Sequence, residues 1–119
     1  MLLLSALPNE TQIDSWAYRA AVLNEIAAGS GYATGGVAVT LTVGAYDSST
    51  NRLPIAATDL SPGWTAATIA SPGGILYLNT GNAATDALIH LIDFGATISS
   101  TNDDFSVDFT APFYINAGS

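Results

Sequence analysis

The chain has no cysteine, a single histidine and only two basic residues, Arg19 and Arg52, against ten acidic ones. Without cysteine there is neither a disulfide framework nor a thiolate metal site. His90 has no second histidine and no thiol with which to build a metal or nucleophile constellation. A net charge of −8 repels phosphate, whose binding relies on clustered Lys and Arg, so neither nucleic acid nor an anionic membrane is an expected partner. Long apolar runs are absent as well. No segment reaches the ~18 residues that a membrane-spanning helix needs, and the apolar opening Met1–Leu7 lacks the basic flank of a signal peptide, which leaves it to be read as a first strand. Charge of either sign is scarce: 10% of residues are charged and 49% are hydrophobic, so Ser, Thr, Asn, Gly and Ala must supply much of the surface. Depletion of charge is typical of interface cores, and a permanent assembly, most simply a homo-oligomer, is expected.

What the chain does have is strand periodicity. In Leu88–Ile115, Phe105, Val107 and Phe109 alternate with Ser106 and Asp108, the period of a strand with one buried face. The same parity continues through Ala111, Phe113 and Ile115, which predicts a second short strand beyond Pro112. Leu88–Ile92 is apolar on both parities and reads as a strand covered on both faces, with Gly95 and Ser99–Asp104 as the turn between hairpin strands.

Upstream, Pro8–Thr11 reads as a turn. Asp14 or Ser15 offers an N-cap to a helix over about 15–28 carrying Trp16, Ala20, Leu23 and Ala27 and ending at Gly29; the competing reading is an irregular arm. Val37–Ala45 alternates cleanly, Asp47–Asn51 turns, and Leu53, Ile55 and Ala57 return as an edge strand bearing Pro54, a hairpin. Pro72-Gly73-Gly74 reads as a bulge or bend ahead of the strand Ile75–Leu78, and Asn79–Asn82 as a full turn. Seven or eight short strands spaced by turns, without helical crossovers, predict an all-β single domain over 1–119. Its expected form is an antiparallel β-sandwich or jelly-roll-like fold with one short N-terminal helix. Residues 1–30 form its N-terminal strand and helix or arm, and 31–119 its β core.

Little in this pattern points to catalysis. Asn102, Asp103 and Asp104 with Asp93 or Asp108 suggest calcium only weakly, because the spacing of a calcium loop is missing and turns favour the same residues. A glycosidase needs paired carboxylates, and Asp93 has no partner by spacing. His90 reads as a hydrogen-bonded core or interface residue. Neither catalytic residue nor metal ligand nor cofactor is assigned. Trp16, Trp64, Tyr32, Tyr46, Tyr77 and Tyr114 are of the type that stacks on sugars, but Trp64 reads better as a plug at the end of the core. A carbohydrate-binding module for host adsorption, with Tyr46, Trp64 or Tyr77 exposed, is the alternative from another class.

The segments Gly31-Tyr32-Ala33-Thr34-Gly35-Gly36, Trp64–Ala70, Ile75-Leu76-Tyr77, Leu88–Gly95 and Phe105–Phe109, in that order and spacing, resemble a family of small tailed-bacteriophage proteins. The resemblance covers most residues from Gly31 onward. It implies a β-rich virion structural protein, in first place a capsid decoration or cement protein on the outer surface of the head that contacts the major capsid protein or other virion proteins. A tail, adaptor or fibre-associated part is the alternative location. The acidic charge disfavours a DNA-facing position, and repeated copies suit a closed homo-oligomer, with a trimer favoured. The expected contact surface is the N-terminal segment with Leu2, Leu3 and Leu4, together with Trp16 and Leu23.

Overall fold

The computed structural model describes residues 1–109 and 111–116. Its elements are β1 (Leu2–Leu4), α1 (Glu10–Ser15), a 3-10 turn (Arg19–Ala21), β2 (Leu41–Val43), β3 (Arg52–Ala57), β4 (Leu60–Tyr77), β5 (Leu88–Val107) and β6 (Phe113–Asn116). The chain is predominantly β, in two antiparallel three-stranded sheets ordered β1-β4-β5 and β2-β3-β6. The expected hairpin is β2–β3, and the strand after Pro112 is β6, which pairs with β3. Asp47 fastens the hairpin turn: its carboxylate accepts from the Ser49 and Thr50 hydroxyls and the Ser49 N–H, which hold its pKa down to about 2.

The β4–β5 ribbon dominates the molecule. At about 3.3 Å per residue a straight 18-residue strand spans about 56 Å, longer than the 46 Å of the greatest dimension. The ribbon therefore bends, and register shifts at Leu60/Trp64, Trp64/Ala67, Ala67/Ile69, Ser71/Gly73 and Leu76/Tyr77 are where it does so. Pro72-Gly73-Gly74 is one of these bends, as its composition indicated.

The polar run Ser99–Asp104, expected as a turn, instead lies inside β5. Its side chains and backbone bond across the ribbon: Ser100 Oγ donates to the Ala67 carbonyl at 2.8 Å, and the Asn102 N–H donates to Thr68 Oγ1 at 3.0 Å. Composition favoured a reversal, but these cross-strand partners carry the strand through as a bulged segment, with Ala66 and Asn102 at positive φ.

Two apolar clusters lie on opposite faces of the first sheet. One gathers Met1, Leu3, Tyr32, Trp64, Leu76, Phe105 and Val107, with Leu41 and Phe113 from the second sheet packed against it. The other gathers Leu2, Leu4 and Ile75, covered by Trp16, Val22, Leu88 and Leu91. The expected helix over 15–28 does not form. The helix that does form begins earlier, where the Asn9 side chain accepts from the Gln12 N–H and Gln12 Oε1 accepts from the Asn9 N–H, a reciprocal cap that fixes the start at Glu10. It ends at Trp16, whose backbone is extended. Beyond it the chain runs as the irregular arm of the competing reading, because Trp16 and Val22 meet the sheet face and Glu25 and Ile26 meet the edge of β1.

That arm explains β1. One edge of β1 pairs with β4, Leu3 opposite Gly74. The other is closed by the Ile26 N–H on the Leu3 carbonyl, the Tyr32 hydroxyl on the Leu3 N–H, and Val37 on Met1. With both faces and both edges covered, Leu2, Leu3 and Leu4 are each 0% exposed. They are core residues and offer no side chain to a partner, which corrects their assignment to a contact surface. The N-terminal strand is accordingly part of the β core and not an appendage to it.

Candidate functional site

A cavity of about 520 Å³ lies at the margin of the larger cluster. Met1 and Leu76 are its buried floor, Val37, Val39 and Leu41 form one side, and Leu78 and Ile89 stand exposed at its lip. Arg19 and Tyr77 make its polar end.

The lip depends on a bulge. In the register of the ribbon Leu76 faces His90 but Tyr77 faces Leu88, so Ile89 is an extra residue on β5. A bulge re-aims side chains. Here it puts Leu88 against the smaller cluster, keeps Ile92 on the larger one, and leaves Ile89 43% exposed. Ile89 also lines a second, shallower cavity of about 150 Å³ with Ile13 and Trp16, so one apolar residue joins the two. The two-face burial expected of Leu88–Ile92 is corrected by the same bulge. His90 is exposed, and its ring stacks on Phe113 at 4.6 Å between centroids, tying the edge of one sheet to the other.

The polar end is closed on itself. Arg19 Nε donates to Asp86 Oδ2 at 2.8 Å, and its guanidinium lies over the Tyr77 ring, 5.2 Å from the centroid. The Thr80 N–H and hydroxyl both donate to Asp86 Oδ1, at 2.6 and 2.8 Å. The Thr80 backbone bond holds the Asp86 carboxyl below the usual carboxylate range with help from Arg19, against the desolvation that raises it, and Asp86 in turn pushes Arg19 up. Asp86 is fully enclosed by these partners. Beside it Tyr77 donates to the Gly35 carbonyl at 2.6 Å, and burial raises its pKa. Glu25 Oε1 accepts from the Tyr32 hydroxyl and the Gly35 N–H, and burial pushes the Tyr32 phenol well up. The Met1 ammonium donates to the Val37 carbonyl at 2.6 Å and is lowered by burial to about 6. Each charged group here is committed to another part of the chain, so the cavity combines an apolar side with a neutral polar margin at Thr34, Gly35 and Asn79. That suits an apolar or extended partner more than a charged one.

Acid should loosen this end. A carboxyl whose folded pKa is depressed stabilises the fold fully above its unfolded value, near 3.9, and loses that contribution as pH falls through the folded value. Urea midpoints of the natural chain and of Asp86→Asn should differ at pH 7 and converge toward pH 2. A gap that does not change with pH would remove the Asp86 charge from the account.

The sequence-derived candidates separate in the structure. Trp16 is half-buried and packs inward on Leu2, Leu4 and Ile75, whereas Leu23 is 77% exposed. Trp64 is buried, as a core plug should be, between Tyr32 and Phe105 with ring centroids 6.1 and 5.8 Å away. It is unavailable to a sugar, and Tyr77 sits under Arg19. Asp103 and Asp104 are exposed on β5, and among the described residues no three His, Cys, Asp or Glu side chains gather as a cation site. Leu78 and Ile89 were not anticipated. Comparison with protein-family models, with curated proteins and with solved structures finds no match in any of the three.

Proposed function

We propose that the chain is a structural protein of a bacteriophage virion that works through protein contacts, as a decoration or cement protein on the outer capsid surface. Its sheets pack as a β-sandwich, its partners are the major capsid protein or neighbouring virion proteins, and it acts as a homo-oligomer, a trimer being the form a three-fold site on a shell would select. The carrying observation is the exposed apolar set: Leu23, Val43, Leu78, Ile89 and Ile98 stand in solvent on a chain with few charges. Charge-poor apolar surface of this kind suits lasting interfaces. The acidic balance also supports a location away from packaged nucleic acid.

The test is size-exclusion chromatography with multi-angle scattering, followed by mixing with undecorated capsids. A chain that coats shells at a fixed copy number supports the proposal, and one that ignores shells but attaches to purified tails moves its location. Leu23→Ser should reduce shell occupancy while changing stability by no more than about 0.5 kcal/mol, as for other exposed sites. Trp16→Ser is a poor probe, because Trp16 covers part of the core. Undiminished occupancy with Leu23→Ser would take Leu23 out of the contact.

A further inference from the structure

We infer that the free edge of β2 pairs with the same edge of a second copy about a two-fold axis, joining two three-stranded sheets into one continuous sheet. The inference goes beyond the proposed function: it adds a two-fold contact between free copies in solution, separate from the three-fold arrangement that a shell would select.

The first ground is the direction of the backbone groups. Toward β3, the Thr40 carbonyl accepts from the Thr58 N–H, Thr42 lies opposite Ala56, and the Gly44 N–H donates to the Pro54 carbonyl. Even-numbered residues thus face β3, and the N–H and C=O groups of Val39, Leu41 and Val43 face the other way. Among the described residues these groups meet no backbone or side-chain partner. An edge of alternate unpaired donors and acceptors is the template for one more strand.

The second ground is that this short edge carries neither charge nor proline to protect it. Natural edges are blunted by Lys, Pro or an inward charge. Val37–Tyr46 contains no charged residue and no proline, in a chain whose net charge is −8. Two acidic copies repel each other, and an uncharged edge opposes their approach less than a charged one would.

The third ground is self-complementarity. An antiparallel pairing centred on Leu41 sets Leu41 opposite Leu41 and Val39 opposite Val43, so outward-facing residues meet outward-facing residues, as hydrogen-bonded pairs require. The same register sets Thr40 opposite Thr42 on the other face. β-branched and Thr–Thr pairs are favourable cross-strand neighbours. Val43, 62% exposed in the single chain, gains a neighbour in this arrangement.

Scattering-detected chromatography over a wide concentration range, with residue-resolved amide exchange on the full chain, tests the inference. The expected result is a concentration-dependent dimer in which the Val39, Leu41 and Val43 amides become protected only on association, while Thr42 and Gly44 are protected at every concentration. Thr42→Lys places a cation on the edge, and Val43→Pro removes an N–H that bonds to nothing within the chain, so both should abolish the dimer peak with the circular dichroism unchanged. If Val43→Pro fails to fold, Thr42→Lys and the amide pattern decide. A monomer at all concentrations, an oligomer that survives Thr42→Lys, or an oligomer whose odd-numbered β2 amides stay unprotected would each overturn the inference.

Discussion

Replacing Trp64 with alanine should lower the free energy of unfolding by about 3–5 kcal/mol, the usual cost of truncating a large buried aromatic. For a domain whose total stability is about 5–15 kcal/mol, that is from about a fifth of the margin to all of it. Trp64 is 3% exposed. Tyr32 stacks on it and Phe105 meets it edge-on, so truncation opens a void that joins the strand side to the arm side of the core. Tyr32 is itself held by the Leu3 N–H and by Glu25, which limits how far it can collapse into the space. Phenylalanine at the same position separates volume from polarity. The indole N–H is buried with no acceptor among the described residues, and an unsatisfied buried donor costs about 1–3 kcal/mol. Trp64→Phe discards that donor while keeping an aromatic ring, and it should cost much less than Trp64→Ala. Equal urea midpoints for the two variants would mean that the ring volume is not what holds this end together.

Gly36→Ala should be comparably damaging, by about 3 kcal/mol. Gly36 has φ +76, and a methyl group there points directly at the Met1 carbonyl and the Leu2 Cα. The left-handed conformation alone costs a non-glycine residue about 1–2 kcal/mol, and overpacking adds roughly 1–3. The contacting atoms are backbone on a strand enclosed on every side, so neither partner can rotate away. Gly81→Ala is the matched control: its φ is +85, but a methyl group there meets nothing within 4 Å, and it should lose only the conformational part. If thermal denaturation finds the two substitutions equally costly, the tight passage of Gly36 past β1 does not contribute.

Period and turn chemistry made much of the fold legible. Phe105 and Val107 are buried as their alternation required, the 37–57 segment folds back as a hairpin, β6 follows Pro112, and Pro72-Gly73-Gly74 bends a strand without reversing it. The failures share a cause. Leu88–Ile92, apolar on both parities, is expected to be covered on both faces, but one inserted residue turns the parity and pushes Ile89 outward. Leu2–Leu4, expected at a contact surface, are instead enclosed because the distant arm closes over them. Ser99–Asp104 read as a turn since nothing local reveals that Ser100 and Asn102 bond to a strand more than thirty residues away. The Asn9–Gln12 cap, by contrast, begins in the stretch Pro8–Thr11, expected as a turn. The exposed lip at Leu78 and Ile89 follows from register, and register belongs to the paired strands together.

The burial of β1 also makes the fold depend on a long-range pairing. Leu2 pairs with Ile75 and Leu4 with Gly73, so the most completely enclosed strand is translated about seventy residues ahead of its partner. At a synthesis rate of about 5–20 residues per second, its three leucines wait several seconds with nothing to pair with. Such distant pairings belong to high-contact-order topologies, which fold in milliseconds to seconds. For that interval the nascent chain carries a short apolar segment whose partner strand does not yet exist.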